Sequence, residues 1–162
     1  ELNFWIIRKS KFLENNLYWR NIMKLNLEQI ERITTGAVRI KEENGLFSFS
    51  RFTTEQENLY KITNQDFYNK TFSTAGIKFS FRTDSRNLLI KFRTSVSSSR
   101  KYFSVDVFVN DSPIGYIDNF SDKELAQNYT QQEFLLGEFS KKIELGYGEK
   151  ECAYIFLGLS KR

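Results

Sequence analysis

The sequence contains no histidine, one cysteine, one proline and one methionine among its 162 residues. The missing imidazole excludes the most chemistry. Ser-His-Asp and Cys-His catalysis both pass a proton through histidine, so neither can be completed inside this chain, and the usual zinc ligand sets are depleted for the same reason. A lone thiol cannot form an intrachain disulfide, so cysteine usage does not encode the redox compartment. Cys152 stands beside Ala153 and Tyr154 in an apolar run and reads as a buried, unreactive thiol. Long hydrophobic stretches are lacking too. The apolar run at residues 4–7 is too short for a signal-peptide core or a membrane span, so the expected compartment is the cytoplasm.

What is abundant is aromatic: 16 Phe and 8 Tyr bring the aromatic share to 16%. With this size and composition the chain reads as one domain able to bury a real core, not as disorder or low complexity. The net charge of +4 is weak evidence for a nucleic-acid partner, because residues 1–22 hold four Lys/Arg against two Glu and leave 20 basic and 18 acidic residues for the rest. Basic residues such as Arg82, Arg86, Lys91 and Arg93 are scattered singly, which is a solvation pattern rather than a phosphate track.

Residues 98–119 are the most ordered stretch of pattern. Phe103, Val105, Val107 and Val109 alternate with Ser104 and Asp106, the period of a strand with one face on a core. Asn110, Asp111, Ser112 and Pro113 form a turn cluster, and residues 114–117 return as the second strand of a hairpin. Asp106, Tyr102 and Phe108 fall together on the outward side.

The first 22 residues differ from the remainder. They contain both tryptophans, and the sole methionine, Met23, follows them; the native start is expected at Met23, with 1–22 a leader or read-through segment and 23–162 the domain. From Asn26 the local signals are coherent. Asn26 with Gln29 makes a capping box for a short helix that Gly36 is placed to end. Asn44-Gly45 joins two strands in a hairpin, and Thr54 with Glu57 caps a second short helix. Residues 64–75 lack a clear period and read as a loop. Ile77, Phe79 and Phe81 alternate, residues 83–87 turn, and Leu88, Ile90 and Phe92 alternate back as a further expected hairpin. Three short β-like stretches follow, at 133–139, 141–147 and 151–159. Many short strands with one or two short helices predict a mainly β, antiparallel sandwich.

The succession T-T-G-A-V-R-I (34–40), F-S-R-F-T-T-E-Q-E-N-L-Y (49–60), T-A-G-I-K-F-S-F-R-T-D-S (74–85) and S-S-R-K-Y-F-S-V-D-V-F-V-N (98–110) resembles the N-terminal β-sandwich domain that precedes the catalytic domain in a group of bacterial SGNH/GDSL-type esterases. Similar domains precede the hydrolase in carbohydrate-deacetylating esterases. The resemblance implies a jelly-roll, galactose-binding-like fold over 23–162 and a partner: a downstream SGNH hydrolase domain of the same polypeptide. It transfers no catalytic residue. The family's G-D-S block and D-x-x-H block are absent, and Thr83-Asp84-Ser85 lacks the preceding glycine and any histidine to activate the serine.

The residues themselves suggest one binding cluster. Tyr102, Tyr116 and Phe108 supply flat faces, and Arg100, Asp106 and Asn119 supply polar groups, as a carbohydrate ligand requires. Each residue also has a structural reading, since strand aromatics usually pack in cores and Arg–Asp pairs usually bridge strands. Asp118, Asn119, Asp122 and Glu124 are oxygen-bearing but do not have a calcium-loop spacing, and no metal or other cofactor is expected. Besides the esterase-domain reading, two others stay open: a free-standing carbohydrate-binding module and a structural or protein-interaction sandwich.

Overall fold

The computed structural model describes residues 2–8, 21–94, 102–120 and 134–157. Two antiparallel sheets face one another. The first contains β1 (Leu2–Arg8), β2 (Asn21–Lys24), β4 (Arg39–Glu43), β5 (Leu46–Ser50), β7 (Asn87–Thr94) and β10 (Gly137–Glu144). Its order is β10-β7-β1-β5-β4, with β2 also paired to β1. The second runs β3 (Thr34–Thr35), β6 (Lys78–Thr83), β11 (Lys150–Leu157), β8 (Ser104–Val109) and β9 (Ser112–Asp118). The mainly β, antiparallel sandwich expected from the alternation is what the chain forms, and the described residues include three short helices: α1 (Leu27–Ile33), α2 (Thr54–Thr63) and α3 (Gln65–Thr71). Leu2–Arg8, from the stretch set apart in the sequence, pairs with β7 from Leu2↔Phe92 to Ile7↔Asn87.

The core lies between the sheets. Leu88, Ile90 and Phe92 of β7 and Phe47 and Phe49 of β5 meet Phe79, Val105, Val107, Ile117 and Cys152 from the second sheet. Phe49 and Phe79 touch edge to face across the gap, with centroids 5.2 Å apart, the arrangement that places a positive ring edge on a negative ring face. At one end Phe92, Phe103 and Phe139 close the interior as a three-ring cluster. Cys152 is fully buried, as its apolar run predicts.

Local chemistry accounts for the elements. In α1 the Asn26 side chain accepts from Gln29 N and the Gln29 side chain accepts from Asn26 N, so both orphan donors are satisfied. The helix ends earlier than Gly36: Thr34 is the C-cap, its Oγ1 donating to Ile30 O, and the chain goes straight into β3. The α2 box uses Thr53 and Gln56 rather than Thr54 and Glu57, a register of one residue. Residues 65–71, expected as loop, are helical because Asn64 both closes α2 and caps α3, its Oδ1 accepting from Phe67 N.

Two turns have both central residues at positive φ. Asn44 (52°) and Gly45 (76°) join β4 to β5, and Asn110 (47°) and Asp111 (61°) join β8 to β9. Asn and Asp tolerate this region, and such turns match the twist of the flanking strands. Strand β9 therefore starts at Ser112, and Pro113 lies within it. That is permitted because β9 is an edge strand and the register slips at Val107/Phe108, where Val107 pairs Gly115 and Phe108 pairs Pro113.

The expected pairing of β6 with β7 does not occur. These strands belong to different sheets, and the turn between them is an arch across the sandwich. Alternation reports that one face of each strand is buried, which is equally true of strands that pair and strands that face each other. The two stretches expected at 133–139 and 141–147 meet in one strand, β10 (Gly137–Glu144), followed by a Leu145–Gly148 turn; residue 133 lies outside the described residues.

Candidate functional site

The β8–β9 hairpin holds three of the six residues expected to bind, Asp106, Phe108 and Tyr116; Tyr102 and Asn119 flank its open end, and Arg100 lies outside the described residues. Asp106 and Tyr116 are register partners across the hairpin, so their side chains share the face turned away from the core. That face is not open at Asp106, which is only 9% exposed and accepts from Ser104 Oγ at 3.3 Å. Asn119 is committed to backbone. Its Oδ1 accepts from Phe103 N at 3.0 Å and its Nδ2 donates to Leu135 O at 2.8 Å, which ties the start of β8 to the segment leading into β10. Tyr102 is packed by Phe120 and Phe134, at centroid distances of 5.9 and 5.3 Å. Phe108 is half-buried near the turn, at the far end from Tyr102. Tyr116 is the most accessible of the set, and Lys141 of β10 lies 5.6 Å over its ring while donating to Tyr116 O at 2.6 Å. The structure thus brings Asp106 to Tyr116 and Tyr102 to Asn119, as two neighbourhoods with packing and hydrogen bonds of their own.

Ser85 cannot act as a nucleophile on an external substrate. It is buried at the β6–β7 arch, its Oγ has no hydrogen-bond partner, and its N–H donates to Thr83 Oγ1 at 3.0 Å. The arch is held by Lys150, which is 4% exposed and whose ammonium donates to Ser85 O at 3.0 Å and to Gly146 O at 2.8 Å. Leu145 N donates to Arg86 O at 2.8 Å, so the arch and the β10–β11 turn are joined twice. On the outside of this joint the Arg86 guanidinium lies 3.9 Å from the centroid of the Tyr147 ring. The alternation of strands gives no hint of this pair. The available signal is the run Gly146-Tyr147-Gly148, which places a large aromatic in a turn, where a core role is poorly served.

A second surface exposes large apolar side chains among polar ones. None of the ten residues of α2 is buried, and Leu59, Ile62, Phe67 and Phe72 of α2, α3 and its C-cap are all exposed, Ile62 to 82%. The helices are fixed to the sandwich by polar contacts and rings: Arg39 of β4 donates to Thr54 Oγ1, Ser50 Oγ and Glu57 Oε2, Arg51 donates to Lys70 O and Ala75 O, and Phe52 meets Tyr60 edge to face.

No family model matches the chain, and no curated protein matches it. Among solved structures it is similar to the salicylyl-acyltransferase SsfX3 from a tetracycline biosynthetic pathway, with a TM-score of 0.50 and 18% identity over 76% of this chain. The chain spans about a third of that protein, 32% of its length. At that identity the likeness is one of fold. Among the described residues no group of three or more His, Cys, Asp or Glu is placed to hold a metal ion, and no helix is long and apolar enough to cross a membrane.

Proposed function

We propose that this is the non-catalytic N-terminal domain of an SGNH/GDSL-type ester hydrolase, a carbohydrate or acetyl esterase of the cytoplasm, which packs on a following hydrolase domain and positions it. The observation that carries this reading is the set of large apolar side chains exposed on α2 and α3. A sandwich that buries its own core completely still presents Leu59, Ile62, Phe67 and Phe72 on one pair of adjacent helices, and exposed apolar surface of that kind marks an interaction site. Two facts agree with it. The sequence has no histidine to run acyl chemistry itself. The similar solved protein is an acyltransferase most of whose length lies outside the matched part, and acyltransferases and ester hydrolases both move an acyl group.

The test begins with the coding sequence beyond Arg162, where a G-D-S block is expected. In the two-domain polypeptide, Ile62→Asp should lower ester turnover at least several-fold and split the thermal transition in two, while the isolated chain with the same change melts as before. Turnover of an acetyl ester by the purified chain alone, or two-domain protein indifferent to Ile62→Asp, would refute the proposal.

A further inference from the structure

The joint between the β6–β7 arch and the β10–β11 turn is built more firmly than a connection needs to be. Gly146 and Gly148 both stand at positive φ, 80° and 81°, and a turn with two glycines is costly to order. It is nevertheless fixed by a buried ammonium reaching carbonyls on both loops, by the Leu145–Arg86 backbone bond and by the buried Leu145 side chain. What this scaffold presents is not core. Tyr147 is 79% exposed although Arg86 covers one side of its ring, so the opposite ring face is open to solvent. The exposed Arg86 guanidinium makes no hydrogen bond or ion pair among the described residues, and the ring beneath it restricts its orientation. A rigid aromatic plate beside an oriented fork of free donors is pre-organised for a ligand with a flat apolar face and an anionic edge, because little side-chain freedom is left to lose on binding.

We infer that Tyr147 and Arg86 form a binding site for an acidic saccharide, a uronic acid whose pyranose C–H face lies on the open side of Tyr147 and whose carboxylate accepts from Arg86. Arginine meets carboxylate through two parallel N–H donors, which fixes the sugar's orientation as well as adding affinity. The site is distinct from the α2–α3 face and does not depend on the presence of a hydrolase domain.

The experiment is calorimetric titration of the purified chain with trigalacturonate, and with a neutral trisaccharide for comparison, at low salt. Trigalacturonate should bind at least tenfold more tightly than the neutral sugar. Tyr147→Ala should weaken it at least tenfold and Tyr147→Phe should keep most of the affinity. Arg86→Gln should abolish the preference for the acid. Both Tyr147 and Arg86 are exposed, so unchanged circular dichroism and melting will separate a lost contact from a lost fold. Absence of binding at millimolar sugar, equal binding of acid and neutral sugars, or full affinity in Tyr147→Ala would each overturn the inference.

Discussion

Replacing Lys150 by methionine tests whether the arch is held by its buried ammonium. The stem of the side chain is conserved in length and the charge is removed. The native group makes two hydrogen bonds, 3.0 Å to Ser85 O and 2.8 Å to Gly146 O. Hydrogen bonds to charged groups contribute roughly 1.5–3 kcal/mol each, so the pair is worth about 3–6 kcal/mol before the cost of keeping an ammonium in a site that is 4% exposed. That cost is several kcal/mol per ion in protein interiors, and methionine does not bear it. The orphaned carbonyls, however, lose their donor. The balance predicts a net destabilisation of about 1–3 kcal/mol, or a fall in Tm of roughly 2–12 °C for a domain of this size. Urea denaturation followed by circular dichroism measures the first quantity. Amide exchange at Leu145, whose N–H donates to Arg86 O across the same joint, reports whether the loss is local. A variant within about 0.5 kcal/mol of the parent, with Leu145 equally protected, would show that the two loops are held by backbone pairing and packing alone.

Two further outcomes follow from the structure. Gly36 and Gly76 share a φ of +84°, but a Cβ on Gly36 would lie 2.6 Å from the Gly76 carbonyl oxygen, whereas one on Gly76 meets nothing within 4 Å. Gly76→Ala should therefore cost only the conformational term, about 1–2 kcal/mol, and Gly36→Ala clearly more, because a backbone atom must move; equal midpoints in urea would contradict the contact. Acid sensitivity should come in part from Glu55 and Glu138. Glu55 is held below the ordinary glutamate value of 4.5 by its own backbone N–H and by Thr53, with Arg39 adding attraction, and Glu138 by its hydrogen bond and charge pairing with Arg93. A lowered folded value gives stability that is complete above the ordinary value and is lost as the pH falls through and below it. The urea midpoint should be flat from pH 7 to about 5.5 and fall below about 5, more weakly in high salt because both groups are fully exposed. Double replacement by glutamine should flatten that fall, and an acid profile identical to the parent's would remove these two carboxylates from the account.

Which parts of this fold were legible depended on how far each signal reaches. Asn26-Gln29 and Asn44-Gly45 act over three residues or fewer, through one side chain and the adjacent backbone, and both form as read. The burial of Phe79, Leu88, Ile90 and Phe92 was equally legible, since a period of two needs only a core to face. Pairing is another matter. Thr83–Asn87 has the length and composition of a hairpin turn, yet Ser85 is drawn inside and its carbonyl is taken by Lys150, which lies 65 residues away. No window around residue 85 contains that partner. Helix α3 was hidden for a related reason: it is only seven residues long, too short for a helical period to show, and it depends on the Asn64 cap and on Arg51 holding Lys70 O. The binding cluster expected on the hairpin was legible as a location and not as a state, because exposure is decided by what lies over a strand and strand period carries no such information. Asp106 has the polarity of a surface residue and the accessibility of a core one.

The energetics of the α2–α3 face bear on the kind of partner that can cover it. Fully burying a large apolar side chain contributes roughly 1.5–3 kcal/mol, and Leu59, Phe67 and Phe72 already lose about half their surface within the chain. Covering what is left of these three and of Ile62 is therefore worth only about 3.5–7 kcal/mol. Free association costs an estimated 4–15 kcal/mol in lost translational and rotational freedom. The face is too small, on this reckoning, to capture a separate protein at ordinary concentrations. A domain joined by a short linker meets a much smaller cost, since its effective concentration is on the order of millimolar without any contact being made. A few kcal/mol of apolar burial, marginal between molecules, suffices to fix the orientation of two domains in one polypeptide. A partner on the same polypeptide, as proposed above, is therefore a better match to this surface than a free protein would be.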